Sequence, residues 1–160
     1  MRLPFQRFVA GLSLLALSST ATFAGGCTEA SKNAFMIRAL QTELMVAALT
    51  CQIRPEYNAF VTQFKKTIVR NGAALRGYYS RNFGEESEQR LNAYVTQLAN
   101  KASQRTIDAR GDYCDQAKDL YSEVLSTEPG YLLAVAEHLP MANKNLPAAC
   151  KITIDVATSE

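Results

Sequence analysis

Apolar residues recur along this chain at the three-and-four spacing of helices, in four long stretches set apart by glycine, proline and short polar breaks. From about Ser31 to Gln52 there is neither Gly nor Pro. At about 100° per residue Met36, Leu40, Leu44, Ala47, Ala48 and Cys51 share one arc, while Phe35, Val46 and Leu49 lie outside it. Such a helix is apolar around most of its circumference and is expected at the centre of the fold. Arg54-Pro55 stops it, because a residue before proline is pushed out of the α region, and Pro55 is suited to open the next helix.

The second stretch, about Pro55 to Tyr79, is two-sided. Tyr57, Phe60, Val61, Phe64, Ile68, Leu75, Tyr78 and Tyr79 share one side, and Lys65, Lys66, Arg70, Arg76 and Arg81 project from the other. Asn71-Gly72 and Gly77 predict a kink or an early end. After a loop at Phe83-Gly84-Glu85-Glu86, a third helix is predicted from about Ser87 to Ile107, with Leu91, Tyr94, Val95, Leu98, Ala102 and Ile107 facing inward. Arg110-Gly111 reads as a break and Asp112 as the N-cap of a fourth helix, striped by Cys114, Ala117, Leu120, Tyr121, Val124 and Leu125. Glu128-Pro129-Gly130 closes it. Beyond that the periodicity fades: Tyr131 to Leu139 fits a short fifth helix, Pro140 and Pro147 bracket a loop, and Ile152, Ile154 and Val156 alternate as a short strand does. The last dozen residues are expected to be poorly ordered.

The first 24 residues change the picture. Arg2 and Arg7, an apolar run from Phe8 to Leu17 and Thr22-Phe23-Ala24 read as a secretory signal with a small-x-small cleavage site. The run is about ten residues, short of the roughly 20 needed to cross a bilayer, so no transmembrane segment is expected after cleavage. The chain carries 17 Lys plus Arg and 15 Asp plus Glu, and loss of Arg2 and Arg7 balances them, which removes any global electrostatic argument for nucleic acid. The organisation expected is a signal peptide over 1 to 24, a helical domain over 25 to 130 and a C-terminal extension packed on it over 131 to 160, its tail partly disordered.

All four cysteines, Cys27, Cys51, Cys114 and Cys150, lie beyond the cleavage point, and an even count in an exported chain favours disulfides. Short connections make consecutive helices antiparallel. The end of helix one and the start of helix four then meet, which predicts Cys51 paired with Cys114 and leaves Cys27 for Cys150. A competing reading takes Ala24-Gly25-Gly26-Cys27 as a loose lipobox, which makes Cys27 a lipidated membrane anchor.

Candidate chemistry is sparse. The single histidine, His138, and the lack of phosphate-loop, dinucleotide-binding, nucleophile-elbow and zinc-protease motifs remove most catalytic templates, and no cofactor is expected. Glu43 is the one weak catalytic candidate: in the most apolar helix, desolvation raises its pKa toward that of a general acid in a small helical glycan (murein) hydrolase. The plainer reading pairs it with a basic residue of a neighbouring helix. Asp112, Asp115, Asp119 and Glu123 share a side of helix four but lack the glycine turn of a calcium loop, so they read as a solvated face and no metal site is expected. Residues 32 to 81 carry eight basic and two acidic side chains, and residues 82 to 128 five and nine. The basic face Lys65, Lys66, Arg70, Arg76 and Arg81 is either the solvated side of its helix or a weak binding surface for an anionic envelope component or protein.

The segments Leu44-Met45-Val46-Ala47-Ala48-Leu49-Thr50-Cys51, Tyr57-Asn58-Ala59-Phe60-Val61, Leu91-Asn92-Ala93-Tyr94-Val95-Thr96, Leu98-Ala99-Asn100 and Tyr113-Cys114 together resemble small exported four-cysteine helical proteins of alphaproteobacteria. The resemblance implies export and a helical fold and supplies no activity. The expectation is an all-α antiparallel bundle of four main helices with two disulfides and a looser C-terminal extension, acting as a non-enzymatic periplasmic or secreted interaction domain. The murein hydrolase and the Cys27 lipoprotein are its alternatives.

Overall fold

A computed structural model describes residues 26 to 151, and the fold over them is all helical. The signal segment, the alternating Ile152 to Val156 segment and most of the terminal dozen residues lie outside the described residues. Seven α-helices follow in order: α1 (Glu29–Thr50), α2 (Arg54–Gln63), α3 (Lys65–Phe83), α4 (Ser87–Asp108), α5 (Arg110–Ser126), α6 (Leu132–His138) and α7 (Pro140–Lys144).

The apolar helix is central, as its pattern requires. Of the 22 residues of α1, 13 are buried, and α1 touches all six other helices. Thr28 caps it, its hydroxyl accepting from the Ser31 N–H at 3.2 Å. The long amphipathic stretch is bent at Phe64, between α2 and α3, and not at Asn71-Gly72 or Gly77. Hydrogen bonding continues through the bend, Phe64 N–H to Phe60 carbonyl at 3.0 Å and Ile68 N–H to Phe64 carbonyl at 2.9 Å. The bend lets Phe60 and Phe64, both fully buried, turn to the same core from two helix axes. At the other end of the bundle Phe35 of α1 meets Tyr78 of α3 and Tyr94 of α4 edge to face at 4.9 and 5.1 Å.

Three further expectations need correction. The break before the fourth helix falls at Ala109, whose φ of −154° and ψ of 67° interrupt the helix; α5 runs through Gly111, and Asp112 lies in its first turn, where its charge suits the helix dipole. Ile107, expected inward, is 75 % exposed. The single-residue link at Ala109 leaves no chain to fold back over it. The segment between Pro140 and Pro147 is not simply a loop, because Pro140 opens α7 from its first helical position. The expected fifth helix is present as α6, and Leu132, Val135, Ala136, Ala142, Leu146 and Cys150 join the core. The C-terminal extension is thus part of the packed body.

Cys51 pairs with Cys114 and Cys27 with Cys150, at Cα separations of 5.6 and 5.1 Å. The sulfur of Cys27 is therefore unavailable for a lipid thioether, which removes the lipoprotein reading. Disulfides persist in oxidising compartments, so this pair of bridges marks a non-cytoplasmic protein. Among the described residues no helix is long and apolar enough to cross a membrane.

The bridges close loops of 63 and 123 residues, for which the chain-entropy model gives about 4 and about 5 kcal/mol of stabilisation. Peptide mapping without reductant is expected to yield 27–150 and 51–114 cross-links. Replacing Cys51 and Cys114 together by Ala is expected to cost about 2 to 5 kcal/mol in urea unfolding; a 27–51 cross-link or an unchanged midpoint contradicts the clamp.

Candidate functional site

The antiparallel pair α4 and α5 is joined by one residue, and the two helices touch each other far less than α4 touches α1. They part after Ala109, and both pack on α1. Between the arms lies a cleft of about 800 Å³, within the roughly 300 to 1,000 Å³ of small-molecule sites. Its floor is apolar, from Leu44 and Ala47 of α1 and Ala117 and Leu120 of α5. Its outer end is walled by Leu139, Pro140 and Met141 at the α6–α7 junction. The Lys101 ammonium donates to the Asn145 side chain at 2.8 Å, tying α4 to the residue after α7. That bond also separates the cleft from a shallower groove beside Tyr79 and Phe83.

Glu43 lines this cleft. Its flank of α1 faces α4, where Arg105 donates from Nη2 to Oε2 of the carboxylate. The pair is lopsided: the Glu43 side chain is 11 % exposed and that of Arg105 43 %. Burial raises the Glu43 pKa above the ordinary carboxylate range, against the opposing pull of Arg105 and Tyr113. The Tyr113 hydroxyl lies close enough to the carboxylate for each to affect the other's ionisation, and burial and the Glu43 charge push its own pKa well up. That hydroxyl is itself buried beside the carboxylate. Tyr121, two turns further along α5, donates its hydroxyl to the Leu44 carbonyl at 2.6 Å.

Arg105 and Tyr113 escaped the sequence reading. Arg105 continues the inward row of Leu98 and Ala102 at helical spacing, which was the available signal. Tyr113 lies one turn before Ala117 and two before Tyr121, which was the available signal for it. The other candidates lie apart. Lys65, Lys66, Arg70, Arg76 and Arg81 are all exposed on α3, a helix without a single acidic residue. Asp119 and Glu123 line the cleft, while Asp112 and Asp115 lie outside its lining, Asp115 paired with Lys118 at 2.9 Å. No group of three metal-ligating side chains occurs among the described residues. His138 is exposed at the end of α6.

Compared with family models, with curated proteins and with solved structures, the chain matches none.

Two outcomes follow. A carboxyl whose pKa is raised by folding holds its proton more tightly in the native state, so its contribution to stability is full at low pH and is lost as pH rises through the raised value. Urea unfolding between about pH 4 and pH 7 is therefore expected to show wild type losing stability with rising pH relative to Glu43→Gln, and parallel curves would place the carboxyl in the ordinary range. Among the described residues no carboxylate pairs with the α3 face, so reversing Lys65, Lys66 and Arg70 to Glu is expected to leave the thermal midpoint within a few degrees of wild type; a large drop would reveal a structural role.

Proposed function

We propose that this chain is a non-enzymatic binding domain of the periplasm or the secreted fraction, and that the cleft between α4 and α5 is where it binds. The observation that carries the reading is a cleft of about 800 Å³ with an apolar floor of Leu44, Ala47, Ala117 and Leu120, a polar rim, and the Glu43–Arg105 pair on its wall. The export signal and the two disulfides support an extracytoplasmic setting. The basic α3 face, free of carboxylates, supports an anionic envelope component as a second partner.

The test uses the neutral apolar fluorophore N-phenyl-1-naphthylamine. Wild type is expected to enhance its emission saturably with a stoichiometry of one, and Leu120→Trp, which fills the cleft floor, is expected to abolish the enhancement with helicity retained. Unsaturable enhancement, or enhancement that survives the filled cleft, overturns the reading.

The murein hydrolase retains one favourable observation. Glu43 has a raised pKa in a cleft that also holds the carboxylates of Asp119 and Glu123. On purified murein that reading requires release of soluble fragments by wild type and none by Glu43→Gln; no release by wild type removes it.

A further inference from the structure

Two arginines meet on this protein with no acid between them. A Cβ built on Gly72 of α3 would lie 3.7 Å from Nη1 of Arg76 and 3.9 Å from Nη2 of Arg38, so guanidinium groups from α3 and α1 reach one spot, left open by the missing side chain. Among the described residues the ion pairs join Arg90 to Glu86, Arg105 to Glu43 and Lys118 to Asp115, and neither Arg38 nor Arg76 takes part. Arg76 is exposed, while Arg38 is half-buried on the most apolar helix. The Arg38 guanidinium nonetheless keeps its nitrogens in contact with solvent.

Like charges at one place repel, and more strongly where burial has taken water from one of them. Burial first, and the Arg76 charge with it, lower the pKa of Arg38 against the opposing pull of Tyr57 and Tyr94. An arginine does not shed its proton to relieve this. Relief has to come from an anion, and none of the described carboxylates pairs with either group. The charge of the ligand follows from that of the site. A carboxylate brings one charge and is satisfied by a single guanidinium fork, whereas a phosphate group carries about two charges and three acceptor oxygens, enough for both forks at once.

The geometry points to a phosphate site over Gly72, held by Arg38 and Arg76, that takes a phosphate monoester or the free ion. The site deepens the reading of α3 as a face for an anionic envelope component, on which it rests, and is independent of the cleft between α4 and α5. Lys65 lies on the same line of α3 two turns before Gly72, and Lys66 and Arg70 are exposed nearby. A surface that repeats phosphates engages this whole stripe; a soluble phosphate engages the arginine pair alone.

The first measurement is the thermal midpoint of the disulfide-bonded protein as inorganic phosphate replaces chloride at constant ionic strength. Wild type is expected to rise by about 3 °C or more, with saturation. Phosphate also stabilises proteins by exclusion from their surface, and that unsaturable background is common to all variants. Arg76→Gln is expected to lose the saturable part. So is Gly72→Glu, whose carboxylate supplies the missing charge between the guanidiniums, with a phosphate-free midpoint no lower than wild type because Glu is the better helix former. Lys118→Gln, which removes a like charge from α5, is expected to keep it.

The second measurement is co-sedimentation with phosphatidylcholine vesicles with and without phosphatidic acid, whose head group is a phosphate monoester. Binding that requires phosphatidic acid and is weakened at least about fivefold by Arg76→Gln identifies lipid as the source. A saturable phosphate response with no vesicle binding, or with binding that Arg76→Gln leaves unchanged, identifies a soluble phosphate. No saturable response, or one kept by Arg76→Gln or Gly72→Glu, overturns the site. If the site falls while vesicle binding persists and is lost on reversal of Lys65, Lys66 and Arg70, the reading of the α3 face stands; if the vesicles are not bound either, both fall.

Discussion

The covering of α1 on all sides is the constraint from which the rest of this structure follows. A helix with only 9 of its 22 residues outside the buried set has to be wrapped, and six further helices share the task. Polar residues caught inside the wrapping need local solutions. Ser31 is held by the Thr28 cap, and the Thr42 hydroxyl donates to the Arg38 carbonyl one turn back at 2.9 Å. Glu43 has no such option, because an ionised carboxylate cannot be satisfied by its own helix backbone, whose N–H groups are already engaged. It is accommodated where the coat parts, with Arg105 reaching in from the half-exposed arm of α4. The cleft and the buried carboxylate thus have one origin.

Both ends of that cleft are pinned. Cys51–Cys114 fixes the first turn of α5 to the end of α1, and the Arg110 guanidinium donates to the Thr50 carbonyl at 2.9 Å beside it. Cys27–Cys150 fixes the segment after α7 to the start of α1, so the outer wall cannot drift away. A site held at both ends is largely preformed, and ligand binding then orders few additional groups, which lowers its entropic cost. The disulfides that compensate for a modest core in a chain of 160 residues also set the shape of the cleft between α4 and α5.

The helical class, the central place of α1 and the pairing of all four cysteines were legible because each depends on local periodicity and connection length. The bend at Phe64 was not, since Phe, Gln and Lys carry no breaking signal and the cause is tertiary: two phenylalanines seeking one core. Ile107 shows the complementary failure, a residue of inward phase left exposed because no element lies over the end of α4. Glu43 stood out as a carboxylate in an apolar helix, and pairing with a basic neighbour was anticipated. The identity of that neighbour required the rotation of α4 about its own axis, and the role of Tyr113 required the splay of α4 from α5. Neither quantity is written in any one segment.

The same geometry bears on whether Glu43 transfers protons or only anchors. A general acid has to hold its proton near working pH and present it to a leaving group. Burial favours the protonated form, but Arg105 favours the ionised one and occupies Oε2. For Glu43 to deliver a proton, Arg105 would have to swing outward, which its half-exposed side chain permits, and the carboxyl would then face an apolar cleft. For Glu43 to serve as a fixed wall of a binding cleft nothing has to move, because its pair with Arg105 stays closed. The arrangement in place before any ligand arrives is the one that binding needs and the one that acid catalysis has to dismantle.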